Sequence, residues 1–217
     1  MQDPLKNPLD KDHVKRAYAR WAPFYDMVCG AFCAPGRAAG SNAVERVGGR
    51  ILEVGVGTGL SLPGYSRRNT FVGVDISEPM LRKAKTRAST SGLTHVERLA
   101  VMDGTRLGFA DGSFDAAAAL FVITAVSDPE GILDELVRVV RPRGEIVLVA
   151  HFAAEGEPLR SLERWFSVLT YRLGWRPDFP YQRVADWSAR SRLSLLERRE
   201  IAPLGLFSLL RYEKVAA

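Results

Sequence analysis

Three glycines at alternate positions, Gly55, Gly57 and Gly59, follow a short β-branched run, "ILEV". A strand that enters a helix through such a turn brings bare backbone close to a bound nucleotide. The dinucleotide fingerprint needs its third glycine one place later, and Leu60 stands there. Glu53 lies just before the turn. A carboxylate at that place repels a diphosphate and suits a cation or an amine. Asp75 ends the next β-rich run, about twenty residues past the first glycine, where a carboxylate accepts hydrogen bonds from a ribose diol. Asp103, in "MDG", ends the run after that, where its carboxylate or the flanking backbone could meet an adenine edge. Ribose, adenine and a positively charged tail without phosphate are the parts of S-adenosylmethionine (SAM). Each acid also has an ordinary use, since Asp75 could cap the following helix and Asp103 a turn.

A second group of residues suits an acceptor. In "KRAYARWAPFYD", Tyr18 and Tyr25 share a helical face ahead of the first strand. An aromatic face favours a cationic ligand by roughly 0.5–2 kcal/mol. The same residues, with Trp21, would also serve as core packing. His151 directly follows the fifth expected strand, where it could orient an amine or accept its proton. Arg160 and Arg164 share a face of the helix expected next. Guanidinium groups match phosphate geometry, although surface arginines are common. Cys29 and Cys33 stand four apart with no second cysteine pair, which reads as two buried thiols and no metal site.

The elements that must hold these groups alternate. Strands are expected over 50–54, Thr70–Asp75, 96–102, 114–122 and 145–150, with helices over 77–88 and 130–140. Ser77 is placed as an N-cap with Pro79 in the first turn, and "RPRG" (141–144) as the stop of the later helix. Such alternation implies an α/β fold with a parallel sheet and helices on both faces. A helix over 37–47 precedes the first strand. After His151 the pattern changes to helices over 159–173 and near 184–190, then two strands, 193–201 and 206–215. These could close the sheet edge as an antiparallel pair. The expectation is one domain over 1–217, with an amphipathic helical lid or membrane-contact segment at 1–33 and a helical substrate-side insertion at 152–192.

The chain has 217 residues, 47% hydrophobic and 25% charged, with 30 basic against 25 acidic side chains, a net charge of +5. That excess is too small to argue for nucleic acid. The nearest tract to a base-methylation motif, "SDPE", has only one proline. The longest near-apolar run, 116–126, is too short to span a bilayer, and the N-terminus lacks an apolar signal core. These features read as a cytoplasmic protein. Lys11, Lys15, Arg16 and Arg20 flank Val14, Ala17, Tyr18 and Trp21. Basic and aromatic faces on one helix suit either an anionic membrane surface or a solvated helix docked on the core.

The stretches "ILEVGVGTG", "VGVDIS", "VMDGTRLGFADGSFDA" and "ELVRVVRPRGEIVLV" resemble, in order, those of the class I SAM-dependent methyltransferases. The resemblance implies a doubly wound Rossmann-like, mostly parallel sheet with antiparallel C-terminal edge strands. It implies SAM as methyl donor, S-adenosylhomocysteine as product and no metal. It assigns the donor site to Glu53, Gly55, Gly57, Gly59, Asp75 and Asp103, with Ile76 and Met80 near the adenine. The "KRAYARWAPFYD" segment resembles the lid of small-molecule members, which implies that Tyr18 and Tyr25 touch the donor or its acceptor. One departure is Arg143, where the family usually has glycine; this is expected to change the turn and not the binding.

"FVITAVSDPEGILDELVRVVRP", "LVAHF" and "RSLERWFSVLTYRLGWRPDF" together resemble the soluble bacterial type of phosphatidylethanolamine N-methyltransferase. That resemblance implies successive methylation of phosphatidylethanolamine and its methylated derivatives towards phosphatidylcholine. It implies peripheral association with the inner leaflet of the cell membrane through the N-terminal helix, and no nucleic acid partner. On it rest the phosphate role of Arg160 and Arg164 and the catalytic roles of Tyr25 and His151. Two alternatives stand beside it: a class I enzyme acting on carbon or oxygen of a lipophilic quinone or other small molecule, and a SAM-binding protein without transferase activity.

Overall fold

The computed structural model describes residues 30–153, 179–203 and 205–216. Among them seven strands form one sheet in the order β3-β2-β1-β4-β5-β7-β6. The strands are β1 (Arg50–Val54), β2 (Thr70–Asp75), β3 (Val96–Val101), β4 (Phe114–Leu120), β5 (Val140–Ala150), β6 (Leu193–Ile201) and β7 (Phe207–Lys214). The first five run parallel, and β7 is antiparallel to β5 and to β6. The expected edge pair is therefore present, with β7 on the inside. Chain order runs outward from β1 in one direction and from β4 in the other. Such a reversal opens a crevice beyond the strands' carboxyl ends.

Strand periodicity sorts the core into two layers. Ile51, Ala116, Ala118, Val147 and Val149 point to one face. There they meet Ala43 and Val44 of α1 (Ala34–Glu45) and Leu81 and Ala84 of α2 (Glu78–Thr90). Leu52, Val54, Ala117, Ala119, Ile146 and Leu148 point to the other. That side carries Ile132, Leu133 and Leu136 of α3 (Pro129–Val139) and Val184 and Trp187 of α4 (Tyr181–Arg190). The central strand β4 is four consecutive alanines between Asp115 and Leu120, buried on both faces. Side chains that end at Cβ let helices approach from either side.

Three local details differ from expectation. Helix α1 starts at Ala34, because Pro35 fits the first turn, where its missing N–H is not needed. Strand β5 starts at Val140, which pairs with Phe114 before a register shift, and pairing resumes at Ala116 with Glu145. "RPRG" thus lies inside the strand, and Arg143 takes the left-handed φ of +61° that glycine adopts without strain. Ser77 is the N-cap of α2 by position but makes no side-chain cap. Asp75 accepts the Ser77 N–H instead. No helix among the described residues is long and apolar enough to cross a membrane.

Candidate functional site

The carboxyl ends of β1 to β4 line a cleft that opens to solvent. Val54 and Gly55 line it from β1, Asp75 and Ile76 from β2, and residues 102–105 from β3. Val122, Val126, Ser127, Asp128 and Ile132 close the side beyond β4. Among the described residues the lining holds three carboxylates, Asp75, Asp103 and Asp128, and no Lys or Arg side chain. Such a wall repels a diphosphate and suits ribose hydroxyls, an exocyclic amine or a cation. The described residues therefore fit SAM and not a dinucleotide.

Of the glycine turn, Gly55 lines this cleft and Gly57 and Gly59 do not; φ is +78° at Gly55, +55° at Gly57 and +77° at Gly59. The start of the turn is fixed by the N–H groups of Gly55 and Val56, which both donate to the Val74 carbonyl at 2.8 and 3.1 Å. Asp75 clamps it from the side. Oδ2 accepts the Gly57 N–H at 2.9 Å, and Oδ1 accepts the Ser77 N–H at 2.8 Å. Burial raises the Asp75 pKa, while these backbone donors oppose the rise. The acid expected at the ribose thus also joins the turn to the start of α2.

Glu53 lies beneath the turn and is 2% exposed. Its Oε1 accepts the Ser61 hydroxyl at 2.9 Å and its Oε2 the Tyr65 hydroxyl at 2.7 Å. Burial pushes Glu53 up to about 7, while the bonds from Tyr65 and Ser61 and the charge of Arg37 hold it down. The same burial, with Glu53 beside it, pushes Tyr65 well above its usual range. Asp103 is oriented by its own turn: Oδ1 accepts the Thr105 N–H at 3.0 Å and the Thr105 hydroxyl at 2.8 Å. Ile76 lines the cleft, but Met80 does not. Met80 is buried, with its sulfur 3.7 Å from where a Cβ on Gly57 would stand.

His151 follows β5, one strand beyond β4, and is not part of the cleft lining. Its Nδ1 lies 2.6 Å from the Leu206 carbonyl. A carbonyl only accepts, so Nδ1 carries the hydrogen and Nε2 bears the lone pair of the neutral ring. Nearby, the Ala153 N–H donates to the Phe179 carbonyl at 2.9 Å. That bond joins the residues just after β5 to those just before α4.

Tyr18, Tyr25, Arg160, Arg164 and the basic residues at 11, 15, 16 and 20 lie outside the described residues. Sequence reasoning missed Ser61, Tyr65, Arg37, Thr105, Ser127 and Asp128. Asp128 had a usable signal: an acid followed by proline, just past an apolar strand, marks a helix start at the ligand-bearing edge. It does cap α3, with Oδ1 accepting the Gly131 N–H at 2.9 Å. Among the described residues no cluster of three or more metal-ligating side chains occurs.

Residues 52–148 match the family model described as a methyltransferase domain. The chain is 40% identical over 206 residues to the phosphatidylethanolamine N-methyltransferase of Cereibacter sphaeroides, covering 95% of this chain and 100% of that protein. It is 34% identical over 140 residues to the demethylmenaquinone methyltransferase of Thermus thermophilus, covering 61% and 63%. The fold superposes on the crystal structure of a SAM-dependent methyltransferase from Aquifex aeolicus with a TM-score of 0.69. That match has 15% identity and covers 91% of this chain and 98% of the other.

Proposed function

The chain belongs to the class I SAM-dependent methyltransferases, and from that premise we propose that it methylates the amine of phosphatidylethanolamine successively towards phosphatidylcholine. One observation carries the substrate: likeness to the Cereibacter phosphatidylethanolamine enzyme runs the full length of that protein, whereas likeness to the Thermus quinone enzyme covers under two thirds of either chain. The acids that line the cleft among the described residues support the donor, because a sulfonium nucleoside is positively charged where a dinucleotide is negative.

Asp75 would hold the ribose hydroxyls, Asp103 and Ile76 the adenine, and Glu53 the ammonium of the amino-acid end. When bound, SAM supplies an electrophilic methyl group to the amine lone pair and leaves as S-adenosylhomocysteine. The chain's own work is positioning, exclusion of water and removal of a proton. An ethanolamine nitrogen is an ammonium near neutral pH and has no lone pair until it loses a proton. Nε2 of His151 is the acceptor this reading assigns to it. Tyr18 and Tyr25 would close over the donor and stack on the amine, and Arg160 and Arg164 would bind the lipid phosphate. Lys11, Lys15, Arg16 and Arg20 would bring the enzyme to an anionic leaflet, at about 1 kcal/mol each.

Incubation with methyl-labelled SAM and phosphatidylethanolamine vesicles tests the reading. Label in mono-, di- and trimethylated head groups is expected. Label that enters a quinone precursor and no phospholipid amine overturns it. Flotation with liposomes should rise with anionic lipid and fall with salt, and neutral replacements at 11, 15, 16 and 20 should weaken it.

A further inference from the structure

We propose that the groove between the end of α2 and the start of β3 holds the phosphate of an anionic lipid head group, and that it seats this flank of the enzyme on the membrane surface. This rests on the substrate being a membrane lipid. The chain's positive charge is concentrated here. Residues 66–98 carry seven basic and three acidic side chains, a surplus of four in a chain whose net charge is +5. One of the three acids, Asp75, lines the cleft instead.

The local fold leaves donors in the groove and uses up acceptors. Lys85, Ser89, Thr94 and Arg98 line it and are exposed. Lys85 and Ser89 stand four apart on α2, so they share a face. Gly92, with φ of +57°, lies just past the helix and turns the chain back towards β3. No atom stands within 4 Å of where its Cβ would be, so the space beside the turn is open. That turn occupies the last carbonyls of α2. Arg87 accepts the Ser91 N–H at 3.0 Å, Ser89 the Gly92 N–H at 3.1 Å and Ala88 the Leu93 N–H at 2.9 Å. The negative end of the helix is blunted accordingly. Glu97 is the one acid of the lining among the described residues, and Arg50 holds it with two bonds of 3.2 and 3.0 Å. The Lys85 and Arg98 side chains make no hydrogen bond or ion pair among the described residues.

Two such cations and two hydroxyls around an open groove suit an anion with several oxygens. A guanidinium meets two phosphate oxygens at once, and an ammonium adds a mobile point charge. The place of the groove favours a lipid over a free phosphate. β3 is the last strand of the sheet, so the groove lies along a flank of the molecule. Residues 102–105 follow β3 directly and line the cleft. Val101, at the end of β3, is 54% exposed. A leaflet laid along this strand meets phosphate-binding groups at one end, an apolar side chain at the other and the cleft just beyond it.

Flotation with phosphatidylcholine vesicles, with and without phosphatidylglycerol, tests the site. The wild type should bind the anionic vesicles more tightly. Lys85→Gln combined with Arg98→Gln should weaken that binding about ten- to thirtyfold, the scale of two basic residues at an anionic surface. Arg143→Gln combined with Arg190→Gln removes the same charge from exposed positions elsewhere, and should weaken it about threefold at most. Methylation of phosphatidylethanolamine in neutral detergent micelles should be unchanged in both pairs, which also reports that they are folded. Equal weakening by the two pairs, or none by the groove pair, overturns the site. A groove pair that floats like the wild type but loses affinity for glycerol 3-phosphate overturns the lipid source. A wild type that methylates no phosphatidylethanolamine in micelles overturns the substrate reading, and flotation still decides the groove.

Discussion

Tyr65 donates its hydroxyl to Oε2 of Glu53 at 2.7 Å beneath the glycine turn, where both side chains are buried. The bond joins a carboxyl group that resists ionisation to a phenol that helps it ionise. Burial is the largest influence and lifts Glu53 from 4.5 to about 7. A group poised there is sensitive to any ligand that brings a positive charge.

Donor affinity should therefore depend on pH. An ammonium is held by the ionised form, so binding below about pH 7 must expel a proton from Glu53. Affinity for S-adenosylhomocysteine should rise about tenfold between pH 6 and pH 8, as the ionised fraction rises. Calorimetry in two buffers of different ionisation heat would count the proton. Tyr65→Phe removes a bond that favours ionisation, and should move the midpoint of the profile upward. A flat profile would mean that Glu53 does not meet the ammonium.

The same carboxyl group should cost stability when no ligand is bound. Its folded pKa, about 7, lies above its unfolded value of 4.5. Its favourable contribution is whole below the unfolded value and is lost as pH rises through the folded one. The difference amounts to roughly 3 kcal/mol. Glu53→Gln keeps a polar side chain without the charge. It should melt higher than wild type at pH 8 and show little gain at pH 5, while binding the donor more weakly at both. Thermal melts at the two pH values check this.

The three glycines of the turn are not equivalent. A Cβ on Gly59 would meet Leu62 Cδ1 at 2.7 Å and the Ala84 backbone at 3.1 Å, and φ there is +77°. A Cβ on Gly57 meets nothing nearer than the Met80 sulfur at 3.7 Å. Gly59→Ala should lower stability by about 2–4 kcal/mol, the sum of strain and overpacking. Gly57→Ala should cost about 1–2 kcal/mol from strain alone, and its larger effect should fall on donor affinity. Denaturant melts and calorimetry on both variants separate the two. Equal stability losses would mean that the turn shifts to absorb the Gly59 side chain.

The parts legible in the sequence are those whose signal is local. Alternating apolar runs fixed the five parallel strands, and the spacing from Gly55 to Asp75 matched a strand, a turn and a second strand. The C-terminal pair was legible from Pro203 and Gly205 between two apolar runs. What was hidden depends on the folded chain turning back on itself. Ser61 and Tyr65 are ordinary residues until the turn folds them over Glu53. Arg37 was legible only as the first residue of an expected helix, because which side of a helix meets its neighbours is decided by packing. The start of β5 was hidden because proline and glycine in "RPRG" read as breakers, whereas a register shift lets the strand keep them. Asp75 was legible as an acid at a strand end, but its hold on the Gly57 N–H was not.

His151 raises a question about the proton. Its Nδ1–H is committed to the Leu206 carbonyl, which leaves Nε2 as the basic atom and ties the end of β5 to the link between β6 and β7. Asparagine places an amide N–H near the position of Nδ1 and nothing at Nε2. His151→Asn should thus keep the tie and remove the base. With S-adenosylhomocysteine affinity unchanged within about twofold, turnover on phosphatidylethanolamine should fall about 10²–10⁴-fold. His151→Ala should lose about 1 kcal/mol of stability as well, since the Leu206 carbonyl then lacks its donor. If the ammonium gives its proton directly to water, His151→Asn will turn over at the wild-type rate. The ring would then serve only to hold the two segments together.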